Sequence, residues 1–292
     1  MNVLSLFDGM SCGQIALERS SIQVDTYYAA EIKPHAIQVT KDNYPNTVHL
    51  GDVRGIKVSA LKPIDLVIGG SPCQDFSRGN AVRDGLEGEK SSLFFEYVRI
   101  LNEAKELNPD VKFLLENVVM EISDSMFISM QLGVEPIRIN SDLVSGQMRD
   151  RLYWTNIHGD GGLFGNMIEL PEDKGIELKD VITSGYTNRK KSRCLLESDS
   201  RPLADPTKMW HRYNNTGFTT IVFDDPSLDW EKGIRYLNQT ELERLQTVPE
   251  GYTKSLKRNQ AACVLGDGWT IDVITHIFKG LKSYEKKEGH RT

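Results

Sequence analysis

Residues 3–13 read VLSLFDGMSCG. The apolar run Val3–Phe7 predicts a buried strand that ends at Asp8-Gly9, and Gly13 opens the helix after it. The same alternation continues outward from this unit. Tyr27–Glu31 reads as a second strand and Pro34 to Tyr44 as a helix. Val48–Leu50 is a short third strand followed by Gly51-Asp52-Val53, and Asp65–Ile68 is a strand closed by Gly69-Gly70. Over 91–107, Leu93, Tyr97, Ile100, Leu101 and Ala104 fall on one face of a helix, and Val111–Leu115 is another strand. Such alternation predicts an α/β fold, a mostly parallel sheet with helices on both faces. In that architecture ligands bind beyond the carboxyl ends of the strands, so the residues just after each strand are the ones to read.

The chain has 292 residues, 39% apolar and 26% charged, enough for one large domain or a domain with a modest lobe. No run of 18 apolar residues predicts a transmembrane helix, and the N-terminus lacks the basic region and cleavage site of a secretory signal. Cys12, Cys73, Cys194 and Cys263 are scattered without a CxxC pair, which argues against a zinc site or disulfide framework and for a reducing, cytoplasmic setting. Past Asn156 the pattern weakens. Residues 158–234 read as a lobe of loops and short strands such as Thr219–Phe223, between a main domain of 1–157 and 235–292. Regular structure returns at Arg235, with Thr240-Glu241-Leu242-Glu243 read as a capping box. Trp269, Val273, Ile277 and Leu281 recur at helical spacing, and the tail after Ser283 is charged.

Three strand ends suit a nucleoside ligand. Phe7-Asp8-Gly9 with Gly13 lets the backbone approach closely at a helix N-terminus. Glu31, 18 residues after Gly13, is placed to accept from ribose hydroxyls. Asp52 beside Val53 could accept from an adenine amino group. The spacing lacks GxGxxG, so an adenosyl ligand without a pyrophosphate is favoured over a dinucleotide; plain turn glycines are the competing explanation. Two further ends carry chemistry. Gly69-Gly70-Ser71-Pro72-Cys73-Gln74 is a constrained loop that presents Cys73 as a candidate nucleophile, against the usual reading of a lone cysteine as a core residue. Glu116 directly follows five apolar residues, where desolvation would raise its pKa and make it a proton donor; a helix cap or surface acid is the alternative. In Gln147-Met148-Arg149-Asp150-Arg151 two arginines two residues apart point to one side, suited to clamp a carbonyl, carboxylate or phosphate; a solvated, salt-bridged edge is the alternative.

FDGMSCG, Glu31, GDVR, GGSPCQ, LLENV, QMRDR and RYLNQTELERLQTVP stand in one order. Together they resemble the cytosine-C5 DNA methyltransferase family, over almost the whole chain apart from 158–234. LSLFDG, DLVIGGSPC, SLFFEY and LGDGWTIDVITHIF are most similar to the eukaryotic de novo methyltransferase catalytic domains, while the compact length looks prokaryotic or viral. The resemblance implies a Rossmann-like S-adenosylmethionine-dependent methyltransferase sheet with a small target-recognition lobe, no metal, and S-adenosyl-L-methionine converted to S-adenosyl-L-homocysteine. It implies that Cys73 attacks cytosine C6, Glu116 supports protonation at N3, Arg151 holds the O2 side and Arg149 orients Glu116 or a phosphate. It implies cofactor contacts from Phe7, Asp8, Gly9, Gly13, Glu31, Asp52, Val53, Pro72 and Trp269, with a core role for Trp269 as the alternative. Gln74, Ser77 and Gln147 would lie on the DNA. The cytosine must flip out of the duplex, and the loop 75–90, with Gly79, Ala81, Gly85 and Gly88, would close over it. The acid at Asp267 fits no motif.

The net charge of −6 argues mildly against nucleic acid until it is divided. Residues 186–213 carry +4, leaving −10 for the rest, with Tyr186, Trp210 and Tyr213 interleaved. A charge run is usually a solvated face, but here it falls in the lobe that would read the target. Arg189, Lys190, Lys191 and Arg193 are therefore expected on phosphates of double-stranded DNA. A tRNA cytosine-C5 methyltransferase and a catalytically silent DNA-binding homologue are the competing functions. The first would show a Cys-Phe-Thr tripeptide, which is absent, and the second is opposed by the intact Cys73, Glu116 and Arg151. A bacterial cell or phage-infected host is the expected setting, with a restriction endonuclease as a conceivable partner.

Overall fold

A computed structural model describes residues 1–71, 91–158, 168–196, 201, 203–215, 217 and 219–282. In the N-terminal half, β1 (Asn2–Leu6), α1 (Cys12–Arg19), β2 (Thr26–Ala30), α2 (Pro34–Asn43) and β3 (Val48–His49) lead to β4 (Leu66–Gly70). Then come α3 (Ser91–Leu107), β5 (Lys112–Val118), α4 (Ile122–Leu132), β6 (Ile137–Asn140) and β7 (Asp150–Thr155). These strands form one seven-stranded sheet in the order β3-β2-β1-β4-β5-β7-β6. The pairs from β3 through β5 are parallel, and β7 is antiparallel to both its neighbours. The strand order reverses between β1 and β4. A topological switch there opens a crevice beyond the carboxyl ends of those two strands.

Side-chain alternation fixes the two faces. In β4, Leu66 and Ile68 enter one core while Val67 enters the other; in β5, Leu114 enters the first and Phe113 and Leu115 the second. The first core also takes Ile15, Ala16 and Leu17 of α1 and Val39 of α2. Val264 and Leu265 of α8 (Arg258–Asp267) and Val273, Ile274 and Ile277 of α9 (Ile271–Phe278) join it. The second core takes Phe94, Tyr97, Ile100 and Leu101 of α3 with Ile128 and Leu132 of α4. Burying each large apolar side chain contributes about 1.5–3 kcal/mol, so the fully buried Phe94, Ile100 and Leu101 lock α3 to the sheet.

Several sequence expectations are corrected. The lobe read as loops and short strands contains a helix, α6 (Pro206–Asn215), whose Met209 and Tyr213 are buried. They join Ile221, Phe223 and Ile234 in a small core flanked by Trp210 and Trp230. The boundary at 234/235 runs through a two-stranded antiparallel sheet of β8 (Ile221–Phe223) and β9 (Ile234–Tyr236). Leu178 and Val181 of the one-turn helix α5 (Leu178–Val181) belong to the main core with Ile168, Leu195 and Val222, so the lobe is only partly self-contained. The capping box of α7 (Gln239–Leu245) is Asn238 with Glu241, not Thr240 with Glu243. Glu243 instead accepts from the backbone N–H groups of Gly251 and Thr253 and bridges the turn after α7. The tail from Ser283 onward lies outside the described residues.

Candidate active site

The cofactor-end residues gather at the carboxyl ends of β1, β2 and β3. In the loop after β1, Phe7, Gly9 and Ser11 all have φ near +60°. For the two non-glycine residues that is an uncommon backbone state, held here by neighbours. Glu31 Oε2 accepts the Gly9 N–H at 2.8 Å, and Glu31 Oε1 accepts from Ile32 and Lys33. Tyr252 Oη donates to the Met10 carbonyl at 2.7 Å from the turn after α7. A Cβ added at Gly9 would meet nothing within 4 Å, so the space above the loop is open. Asp52 accepts from Arg54 N and pairs with its guanidinium at 3.2 Å. Val53 next to it is buried.

Two of the cofactor-end residues serve packing in this geometry. A Cβ at Gly13 would lie 2.4 Å from Ile68 Cδ1 and 2.7 Å from Tyr27 Oη, so glycine here brings α1 against the sheet. Asp8 is buried, and its carboxylate accepts from Ser11 Oγ at 2.5 Å and Tyr27 Oη at 2.8 Å, beneath the loop. Burial pushes its pKa up to about 6, against the opposing hydrogen bonds from Ser11, Ser5 and Tyr27.

The catalytic edge forms where β4, β5 and β7 meet. Glu116 and Arg151 are joined at 2.9 Å between Oε1 and Nε, with side chains 11% and 14% exposed. Glu116 is buried, as expected of an acid directly after five apolar residues, and a guanidinium faces it. The guanidinium that meets Glu116 is that of Arg151, where the resemblance had offered Arg149 for Glu116 or a phosphate. Gly70 lies beneath this pair, because an added Cβ there would be 2.9 Å from Glu116 Oε2 and 3.1 Å from Trp269 Nε1. Buried Trp269 therefore edges the same spot while packing in the core. Ser71 follows, and buried Asn117 donates to its hydroxyl at 3.2 Å, fixing where the loop leaves the sheet. Pro72, Cys73, Gln74, Ser77 and the rest of the loop to residue 90 lie outside the described residues.

The residues expected on DNA divide sharply. Gln147 is fully buried; its amide donates to Leu245 O and Gln246 Oε1 and accepts from Leu195 N. Lys191 Nζ donates to the carbonyls of Asp142, Ser145 and Ile176. Arg189 donates to Thr219 O and Tyr213 O and covers the Tyr213 ring at 3.9 Å. These three hold the protein together in this geometry, whereas Lys190 and Arg193 are exposed.

Other partnerships carry no motif. Gln246 receives the amide of Gln147 and the hydroxyl of Thr270 and donates to Leu265 O, joining the QMRDR segment to the LGDGW turn. Asp267, which fitted no motif, pairs with Lys33 at 2.7 Å beside Glu31. Arg149, 5% exposed, and Arg151 both reach the sulfur of Cys194. Among the described residues, no group of three or more His, Cys, Asp or Glu could hold a metal ion. Nor is any helix among them long and apolar enough to cross a membrane.

Residues 1–125 match the C-5 cytosine-specific DNA methylase family, which bears out the resemblance over the motifs from FDGMSCG to LLENV. Over 115 residues the chain is 39% identical to "DNA (cytosine-5)-methyltransferase DRM2" of Arabidopsis thaliana, covering 35% of this chain and 18% of that one. Over 119 residues it is 36% identical to "Type II methyltransferase M.NgoBV" of Neisseria gonorrhoeae, covering 39% and 27%. The matched segments thus span less than a third of either relative. Among solved structures, the Entamoeba histolytica methyltransferase EhMeth matches with a TM-score of 0.72 at 16% identity, over 97% of this chain and 98% of that one. The S. pombe Dnmt2 methyltransferase matches with a TM-score of 0.63 at 15% identity, over 97% and 99%. At such identities the likeness establishes the fold, the expected Rossmann-like sheet.

Proposed function

We propose, for a chain whose first 125 residues match the C-5 cytosine-specific DNA methylase family, that it methylates C5 of a cytosine flipped out of double-stranded DNA. The observation that carries this reading is the Glu116–Arg151 pair lying against Gly70, three residues before Cys73. An acid and a guanidinium meet there at the sheet's carboxyl edge, and in sequence the Pro-Cys-Gln motif follows Gly70 directly after Ser71.

The crevice suits S-adenosyl-L-methionine. The Gly9 loop is open above its backbone, and Glu31 is oriented by three backbone N–H groups toward the end of β2, where ribose hydroxyls would be met. Asp52 lies at the end of β3 for the adenine amino group, and Trp269 edges the floor near Gly70. When bound, the group supplies an electrophilic methyl. The protein's part is to make cytosine C5 nucleophilic. The Cys73 thiolate adds to C6, forming an S–C6 bond and pushing electron density toward C5 and N3. Glu116 shares a proton with N3, which offsets that charge, and Arg151 holds both Glu116 and the O2 side of the ring. After transfer a base removes the C5 proton, the S–C6 bond breaks and the thiolate returns. Burial of the pair excludes water from these proton positions. The setting we infer is the cytoplasm of a bacterial or phage-infected cell, with a restriction endonuclease as the partner to test; the Neisseria type II relative supports this.

The test is trapping with duplex oligonucleotides that carry 5-fluorocytosine, in the presence of S-adenosylmethionine. Fluorine cannot leave as a proton, so wild type accumulates a covalent adduct on Cys73, while Cys73→Ser binds cofactor and forms none. Bisulfite sequencing of DNA incubated with the protein gives the sequence context. Methyl transfer to bulk tRNA with none to DNA would replace this reading with the tRNA one.

A further inference from the structure

Cys194 lies in the lobe, in the segment KSRC, far along the chain from the catalytic strand. Yet its sulfur is 3.3 Å from a guanidinium nitrogen of Arg149 and 3.6 Å from one of Arg151. Arg151 in turn holds Glu116 at 2.9 Å. We propose, on the reading of the preceding section, that Cys194 is a positioning residue: its sulfur, shared by the two arginines, fixes Arg151 against Glu116 and couples the lobe to the reacting base.

Both guanidinium groups can only donate, so each needs an acceptor. Arg149 has Cys194 Sγ and the Leu195 carbonyl at 3.4 Å, and Arg151 has Asp150 O, Glu116 and Cys194 Sγ. A neutral thiol donates its own proton to Leu195 O, where the contact is 3.5 Å, and offers the arginines only a weak acceptor. A thiolate is a strong, charged acceptor for both arginines. The charged and titratable surroundings favour it. Arg149 and Arg151 face the sulfur, Arg193 precedes it, Arg258 and Tyr236 line the small cavity beside it, and Glu116 lies beyond Arg151. Burial alone would raise the thiol, but the two arginines outweigh it and hold the group below the ordinary range. The lobe is thereby latched to the catalytic strand through an acceptor that is lost if the sulfur is protonated or alkylated.

Two measurements on the full chain test this. The first is the pH dependence of iodoacetamide labelling at Cys194, followed by peptide mass spectrometry beside a free peptide of the same local sequence. Half-labelling at a lower pH than the peptide is expected. Labelling at or above the peptide's pH, or none at all, overturns the proposal. The second uses Cys194→Ala and Cys194→Ser. The alanine variant is expected to lose on the order of tenfold in kcat for methyl transfer, with KM for S-adenosylmethionine unchanged. The serine variant regains part of the rate and lacks the acid limb that the Cys194 thiol adds to the wild-type pH profile. Superimposed profiles, or a loss confined to KM, overturn the proposal. Should wild type methylate no nucleic acid, the functional reading fails while the labelling measurement still decides the role of Cys194.

Discussion

Glu116 and Arg151 are not register partners. Glu116 lies opposite Tyr153 and Arg151 opposite Val118, so the 2.9 Å contact between them runs diagonally across an antiparallel pair of strands. That diagonal depends on β7 running against its neighbours. A parallel strand would carry its first residues to the amino edge of the sheet. Reversed, β7 starts at the carboxyl edge, where β4 delivers Gly70 and β5 delivers Glu116.

Glu116→Gln keeps the shape of the side chain and removes its charge. If Glu116 shares the N3 proton, kcat falls by about 10²- to 10⁴-fold. Arg151 then lies mostly buried without its carboxylate, a change that costs on the order of 3 kcal/mol. Steady-state methyl transfer and urea denaturation measure the two effects separately. Retention of more than a fifth of wild-type kcat would remove Glu116 from the chemistry.

Asp8 predicts an unusual dependence of stability on pH. Its folded-state pKa is about 6 against an ordinary 3.8, with burial the main cause. Between these values the unfolded chain ionises while the folded protein keeps its proton, so stability falls as pH rises from about 4 to about 6 and then levels off. The loss from this one group is about 3 kcal/mol. Asp8→Asn cannot ionise and escapes it. The stability difference between Asp8→Asn and wild type, from urea melts at pH 4.5 and 7.5, therefore moves in favour of the variant at the higher pH. A constant difference would show that Asp8 is ionised throughout.

The sheet was legible because its strands are buried on both faces and stand out as apolar runs closed by Gly or an acid, as in DLVIGG. α6 was not: a helix that buries little more than Met209 and Tyr213 leaves only a faint periodic trace in a polar segment. At the site, the motif residues at strand ends could be read singly, since a strand end has one exit. Which arginine meets Glu116 could not, because the diagonal across β5 and β7 depends on register. Gln147 differs from its expectation for a related reason. The resemblance placed it on the DNA, but burial beside Gln246 gives every amide group an internal partner.

Glu241 is a second structural acid with the opposite behaviour. It is fully buried and accepts from Thr183 in the lobe, Asn238 at its own helix cap, and Arg235 at 2.8 Å. Burial alone would raise the carboxyl, but Arg235 and the N–H groups of Thr183 and Asn238 outweigh it and hold it below the usual range. Its stabilisation is thus complete above the unfolded pKa and is lost as pH falls through the lower folded value. Glu241→Gln takes the carboxylate from Arg235, which keeps the carbonyls of Ser184 and Tyr236, and costs about 1–3 kcal/mol at pH 7. The difference from wild type shrinks in acid, which thermal melts across pH 3–7 would show. An equal difference at every pH would mean that the charge contributes nothing.

The basic stretch separates into grip and scaffold. Lys190 and Arg193 are exposed, so the double variant Lys190→Ala with Arg193→Ala should melt like wild type. It should bind DNA more weakly and lower the slope of log K against log salt by about 1–2, roughly 0.9 for each phosphate contact removed. Lys191 behaves differently, because Lys191→Met leaves the carbonyls of Asp142, Ser145 and Ile176 without their shared donor. Each unsatisfied buried carbonyl costs about 1–3 kcal/mol, so this variant loses stability while its salt slope, measured below its melting temperature, stays at the wild-type value. Fluorescence anisotropy of labelled duplex DNA between 50 and 200 mM KCl, beside thermal melts, resolves both variants. A normal slope for the double variant would place the phosphate-binding surface elsewhere on the molecule.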